Sequence, residues 1–213
     1  MVIAIDGPAG AGKSTVARAV AAALGFTYLD SGAMYRALAL AAIRAGIDPA
    51  DAAVSELARG LEIEFDGTRT LLAGEDVSDA IRSPEVTEAA SRVSVHPGVR
   101  AAMVEQQRRL IDDGRYVAEG RDIGTVVSPE APLKVFLNAS DAERARRRSE
   151  QTGEPVDEVL AAQVKRDERD RDREHGALRA AEDAVELDTT GLAVEQAVAR
   201  IVELARERGI GGR

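Results

Sequence analysis

Apolar residues in this chain fall into short runs set among longer stretches of mixed character. Val2-Ile3-Ala4-Ile5 is uniformly apolar and too short for an amphipathic helix, so it predicts a buried strand. Thr15–Leu24 is Ala-rich and free of breakers, which predicts a helix, and Thr27-Tyr28-Leu29 predicts a second short strand. Residues 33–45 again have helical composition, and Asp48-Pro49 predicts the cap of a further short helix reaching about Arg59. At Leu61 the period changes to two. Leu61-Glu62-Ile63-Glu64-Phe65 alternates, Asp66-Gly67 is a hairpin signal, and Thr70-Leu71-Leu72 reads as the partner strand. Pro84 and Pro97 open two helices, the second with Val99, Met103, Val104, Leu110 and Ile111 on one face. Tyr116-Val117-Ala118 and Leu133–Leu137 predict buried strands. Residues 141–173 predict two very polar helices broken at Thr152-Gly153-Glu154-Pro155. Ala184–Asp188 reads as a last strand, and Val194, Val198, Ile201, Val202 and Ala205 mark an amphipathic closing helix.

Strands that alternate with helices imply an α/β fold, a mainly parallel sheet with helices on both faces. The alternating segment implies a small antiparallel insert within it. Ligands in such folds bind outside the carboxyl ends of the strands. The first strand leads straight into Gly7-Pro8-Ala9-Gly10-Ala11-Gly12-Lys13-Ser14, which fits G-x-x-x-x-G-K-[ST] at every fixed position. Strand, Gly-rich turn and helix form the context of a phosphate loop. Its amides converge on phosphate oxygens, and the new helix points its positive end at the same anion. Lys13 is placed to reach the β- and γ-phosphates, and the Ser14 hydroxyl to ligate Mg²⁺. The motif predicts a nucleoside triphosphate site.

Composition narrows the setting. The chain has 213 residues, enough for one domain with small insertions. It has no cysteine, which excludes disulfides and thiolate metal sites, and its 2 histidines, His96 and His175, are too far apart in sequence to suggest a zinc site. Neither a signal-peptide pattern nor a membrane-length apolar run is present, which predicts a cytoplasmic protein with no membrane partner. The net charge of −9 and scarce aromatics argue against nucleic acid as a partner. Lys13, Lys134 and Lys165 are the only lysines, so the positive charge is nearly all arginine, the residue suited to bidentate phosphate contacts.

Further segments carry chemistry: Leu29-Asp30-Ser31-Gly32-Ala33-Met34-Tyr35-Arg36, Glu119-Gly120-Arg121-Asp122-Ile123-Gly124-Thr125-Val126-Val127, and Arg166-Asp167-Glu168-Arg169-Asp170-Arg171-Asp172-Arg173. Together with Gly7–Thr15, with Gly74–Ser78 and with Ala90-Ser91-Arg92-Val93, they make the chain resemble the bacterial cytidylate kinase family, from Val2 to about Arg206. The resemblance implies a P-loop NTPase fold in a single kinase domain, 1–213. It places a CMP-binding insert at about 57–98 and a helical lid at about 149–178. The implied activity is ATP-dependent phosphorylation of CMP and dCMP, with Mg²⁺, in pyrimidine metabolism. It assigns Gly7, Pro8, Ala9, Gly10, Ala11, Gly12, Lys13, Ser14 and Thr15 to the ATP phosphates and Arg147 to the neighbourhood of adenine. It assigns Arg36, Arg121 and Arg173 to the CMP phosphate and the group in flight, with Lys13, Arg121 and Arg173 as the catalytic set. Ser91, Arg100 and Asp122 would read cytosine, and Arg166 and Asp170 the pentose hydroxyls. Ser31 and Tyr35 complete the substrate-binding set, and Ser14 the metal set.

Phosphoryl transfer needs in-line positioning and positive charge more than covalent chemistry. Guanidiniums on both sides offset the repulsion of two anionic substrates, and no strong base is needed because the acceptor phosphate is already ionised. Several polar residues are expected to be structural. Arg144, Arg146 and Arg148 read as a solvated helix face, the histidines as surface residues, and Ser31 as a possible helix cap beside its binding role. Rival functions are another small-molecule kinase, for example one acting on shikimate, a GTP-dependent switch, and a nucleic-acid-binding ATPase. The switch lacks its Asn-Lys-x-Asp guanine reader, since Asn138 is followed by Ala139. A monomer is expected because no exposed apolar seam is evident.

Overall fold

A computed structural model of the chain describes residues 1–211. Its elements are β1 (Val2–Asp6), α1 (Lys13–Leu24), β2 (Thr27–Asp30), α2 (Ser31–Arg44), α3 (Val54–Gly60), β3 (Ile63–Asp66), β4 (Arg69–Leu72), β5 (Glu75–Asp76), α4 (Pro84–Val93), α5 (Pro97–Asp112), β6 (Tyr116–Gly120), β7 (Leu133–Asn138), α6 (Asp141–Thr152), α7 (Val156–Arg171), β8 (Val185–Asp188) and α8 (Val194–Glu207). A short 3₁₀ turn covers Ala80–Arg82, and a π-helical turn covers Ile123–Val127. The chain forms two compact units, one from Met1–Asp30 with the residues from Arg108 on, the other from Ser31–Gln107.

The first unit is built on a five-stranded sheet of order β2-β6-β1-β7-β8. Every neighbouring pair is parallel, with Ile5 opposite Glu119 on one side and Val135 on the other. The central strand of such a sheet has both faces covered, so it must be apolar throughout. All of Val2–Asp6 is buried, which explains the uniform run that opens the chain. On one face, α1 and α8 present Val16, Ala17 and Val20 beside Ile201, Leu204 and Ala205 in a single core cluster. Each fully buried Ile or Leu there contributes about 1.5–3 kcal/mol. Helix α1 ends where Gly25 turns left-handed at φ 67° and Phe26 N–H reaches back to Ala21 O at 2.9 Å. Because the strands are parallel, the loops that follow β1, β6 and β7 emerge at the same edge.

In the second unit, β3, β4 and β5 form a three-stranded antiparallel sheet. Ile63 lies opposite Leu72, and Gly67 turns the hairpin at φ 61°. Met34, Leu38, Ile81, Val86 and Val93 are buried in this unit. Ser83 caps α4 by accepting from Val86 N–H at 3.2 Å with Pro84 in the first turn. The helix expected from Asp48-Pro49 is shorter than its cap signal suggests. Asp48 and Asp51 accept from Ala50 and Ala53 N–H, each at 2.8 Å, and these local turns hold the chain out of α3 until Val54. The two-residue β5 and the π-helical turn are features that periodicity did not predict.

Candidate active site

The loop between β1 and α1 is held by side chains that bind its carbonyls. Lys13 Nζ donates to Pro8 O at 2.7 Å, Arg144 Nη1 to Ala9 O at 2.7 Å, and Thr189 Oγ1 to Ala11 O at 3.3 Å. Three of the loop's carbonyls are thus occupied by side chains. Gly7 admits no side chain, because a Cβ there would lie 2.0 Å from Leu137 O of β7. Helix α1 starts at a left-handed Gly12 with no side-chain cap, so its first-turn amides are not occupied by a capping group.

Charge is concentrated behind this loop. Lys13 is only 6% exposed. Burial, then the nearby Arg121 and Arg166 guanidiniums, push its ammonium from 10.5 down to about 7, against the opposing pull of Glu119 and Asp6. Glu119, at the end of β6, is buried and accepts hydrogen bonds from Ser14 and from the Tyr28 hydroxyl. Burial, with the neighbouring Asp30 charge, raises its carboxyl above the ordinary range, while Lys13 and those hydrogen bonds resist. Arg18 lies over the Tyr28 ring, 5.1 Å from its centre.

Asp6, the last residue of β1, accepts from Ile123 and Gly124 N–H at 2.8 Å each, which fixes the loop that follows β6. Burial raises its carboxyl to about 6 although both backbone bonds lower it; the Asp122 charge adds to the rise. The same loop is wound into a π-helical turn, with Val126 and Val127 N–H both meeting Asp122 O at 2.9 and 3.2 Å. Asp122 is itself buried at the head of this turn, and its side chain caps nothing there. Asp6 lies outside the motif that opens at Gly7. Its signal was an acid closing an otherwise apolar strand immediately before the glycines.

Helices α6 and α7 supply the arginines and acids. Asp170 is buried, and Arg121 Nε donates to its Oδ2 at 2.9 Å while Arg173 pairs with Oδ1. Burial works against the Asp170 charge, but Arg121, Arg173 and Arg166 hold its carboxyl below the ordinary range. The structure therefore groups Lys13, Arg121, Arg166, Asp170 and Arg173. Arg147 is fixed by Thr189, with Nη2 donating to its carbonyl at 2.6 Å and Nη1 to its hydroxyl at 3.1 Å, and by Glu143 at 2.8 Å. It lies beside the loop, since a Cβ on Gly12 would be 3.7 Å from its Nη1.

Arg144 corrects the expectation of a solvated face. It is 1% exposed and reaches Ala9 O, Asp141 and Asp167. Arg146 does behave as expected, exposed and paired with Glu143 and Glu150. In the second unit, Ser31, Tyr35 and Arg36 occupy the first turns of α2, Ser91 is buried on α4, and Arg100 is buried on α5. There the structure brings Arg100 and Tyr35 together, the guanidinium 5.8 Å from the ring centre. Ser31 is the first residue of α2 rather than a cap ahead of it. His96 is half-buried, not a surface residue, with Nε2 3.1 Å from Pro49 O.

No helix among the described residues is long and apolar enough to cross a membrane, and none of their acids and histidines cluster as a metal centre. The fold is similar to that of the shikimate kinase from Bacteroides thetaiotaomicron, with a TM-score of 0.51 at 16% identity over 97% of this chain and 98% of that one. A protein from Mycobacterium leprae (strain Br4923), named cytidylate kinase, is 48% identical, with 98% of this chain and 96% of that protein aligned. One of the same name from Geobacillus kaustophilus (strain HTA426) is 50% identical over 97% and 96%. A family model, cytidylate kinase, matches residues 3–207, a span that takes in the phosphate loop, the turn after β6 and the arginines of α7. The chain belongs to the cytidylate kinase family.

Proposed function

We propose that this chain moves the γ-phosphoryl group of ATP to CMP and dCMP by direct in-line displacement. The observation that carries the reading is the convergence of Lys13, Arg121 and Arg166 at the phosphate loop, where burial first and then the two guanidiniums lower the Lys13 ammonium to about 7. A polyanion placed there relieves that repulsion, and so does a phosphoryl group in transit. Gly7–Thr15 would take the ATP phosphates, with Arg147 near adenine. Arg36, Arg121 and Arg173 would take the acceptor phosphate and the transferring group. Ser91, Arg100 and Asp122 would read the cytosine, Arg166 and Asp170 the pentose hydroxyls, with Ser31 and Tyr35 supporting the acceptor nucleotide.

Mg²⁺ fits the residues present. The Ser14 hydroxyl and the Glu119 carboxylate are hard oxygen donors hydrogen-bonded to one another at the loop, and Mg²⁺ in phosphate sites takes only one or two protein ligands. When bound, the ion would neutralise charge on the β- and γ-oxygens. The chain's own groups then orient and shield. Lys13 leaves Pro8 O to meet the phosphates, and Arg121 and Arg173 exchange Asp170 for substrate oxygens. The acceptor phosphate is ionised at neutral pH and needs no strong base. The insert at about 57–98 would hold CMP, and residues 149–178 would close as a lid that excludes water. We take the enzyme to be monomeric and cytoplasmic.

A coupled assay of ADP release against a panel of nucleoside monophosphates tests this. CMP and dCMP should be turned over fastest, with CDP and dCDP as products. Turnover of shikimate or of a purine monophosphate instead would replace the acceptor assignment.

A further inference from the structure

Helix α7 buries an unusual face. Val159, Gln163, Asp167 and Asp170 are its buried residues, at the spacing of one helix stripe, and all but the first are polar. Gln163 Nε2 donates to Arg144 O at 3.3 Å, and Asp167 Oδ2 lies 2.7 Å from Arg144 Nη2. The other side of the same guanidinium donates to Ala9 O of the phosphate loop at 2.7 Å. One buried arginine thus spans the loop and α7, with Asp141 Oδ1 sharing Nη2 at 2.6 Å.

This arrangement is poorly explained by stability. Asp167 and Arg144 are each 1% exposed, and neither Asp167 oxygen makes an aligned hydrogen bond. A buried pair of this kind is often matched or exceeded in stability by apolar residues of similar volume. What a polar pair supplies is a specified geometry. Here the geometry is that of the loop at Ala9 relative to the helix that carries Arg166 and Asp170. Gly10 shows how closely these parts meet, since a Cβ there would lie 2.8 Å from Gln163 Nε2 and 3.2 Å from Arg144 O.

We infer that Arg144 and Asp167 are a positioning pair, which sets the phosphate loop and α7 in one relative geometry and acts on ATP through Ala9 without touching substrate. The inference rests on reading Gly7–Ser14 as the ATP-phosphate site. Arg144 fixes Ala9 O and so restrains the peptide planes of the loop. Asp167 fixes Arg144, and the same stretch of α7 carries Arg166 just before Asp167 and Asp170 one turn after it. Misplacement of reacting groups by about 1 Å from a distant change costs on the order of a hundredfold in rate.

The test compares Asp167→Asn with the double variant Arg144→Met/Asp167→Leu. Asp167→Asn leaves Asp141 as the counter-ion of Arg144 and keeps the side-chain volume, so it should fold. Thermal melts, affinity for a fluorescent ATP analogue and steady-state kinetics are measured on each. The double variant should melt no lower than wild type, yet bind the analogue roughly tenfold more weakly, turn over ten- to a hundredfold more slowly and show a raised KM for CMP, because α7 carries Arg166 and Asp170. Asp167→Asn should show the same losses in smaller measure. Wild-type analogue affinity and kcat in the double variant would overturn the inference and leave the pair as mere packing. If the double variant does not fold, wild-type values in Asp167→Asn overturn it equally. A wild-type chain that binds the analogue but forms no CDP would defeat the acceptor assignment, while the analogue affinities still decide the role of the pair.

Discussion

Lys13 should be a destabilising residue in the ligand-free chain. Replacing it with Met keeps most of the buried stem and removes the ammonium. The lysine titrates at about 7 when folded and at 10.5 when unfolded, so between those values the unfolded chain holds more protons and stability rises with pH. The cost of burying the charge is absent above 10.5, grows as pH falls and is complete below about 7. The full difference corresponds to about 5 kcal/mol. About 2 kcal/mol of that cost persists at pH 9. Against it stands the hydrogen bond to Pro8 O, worth about 1 kcal/mol. Lys13→Met should therefore exceed wild type by about 4 kcal/mol at pH 6 and by only about 1 kcal/mol at pH 9.

Removing the ammonium also removes charge that favours ionised Glu119 and Asp6, and in the variant both should keep their protons to higher pH. Urea unfolding followed by circular dichroism at both pH values measures the difference, and a coupled turnover assay on the same protein should find activity nearly abolished. A variant less stable than wild type at pH 6, or a stability difference independent of pH, would refute the argument that Lys13 is held against burial and like charge.

Other expectations follow from single contacts. Gly7→Ala must push a methyl into Leu137 O, 2.0 Å away in the sheet backbone, so it should cost about 3 kcal/mol or more and appear as a large drop in melting temperature; a drop of only a degree or two would mean β1 and β7 separate freely. Asp6 has its carboxyl raised to about 6 from 3.8, so it favours the folded state fully below 3.8 and loses that contribution as pH rises through 6. Asp6→Asn should flatten the stability profile between pH 4 and 6, and an unchanged profile would contradict the shift. Asp122→Ala should raise KM for CMP and dCMP by about tenfold or more with little change for ATP; equal losses for both would remove its role in reading cytosine. Arg173→Ala should slow single-turnover transfer by about a hundredfold without a comparable loss of ATP affinity, and a wild-type rate would refute its place in the chemical step.

What could be read from the sequence follows from where each constraint acts. The phosphate loop needs glycine, lysine and serine at fixed spacing because one ligand is gripped by consecutive backbone units, so strand, turn and helix were visible together from Val2 to Leu24. The parallel sheet was visible for a related reason, since two covered faces demand unbroken apolar runs such as Leu133–Leu137. Arg144, Asp167 and Asp6 answer instead to partners far along the chain: Ala9 for Arg144, Arg144 for Asp167, the amides of Ile123 and Gly124 for Asp6. Beside Glu143 and Arg146, an arginine buried on α6 has the same local pattern as an exposed one, and so the sequence around Arg144 reads as a solvated face. The pattern that betrays it lies on α7, where Gln163, Asp167 and Asp170 occupy the stripe that an ordinary helix fills with leucine. A polar stripe buried at helical spacing implies buried partners of opposite charge, and in this chain those are Arg144 for Asp167 and Arg121 with Arg173 for Asp170. Arg121, Arg173 and the arginine that holds the loop are thus all paired with a single face of one helix, so movement of α7 would disturb the three together.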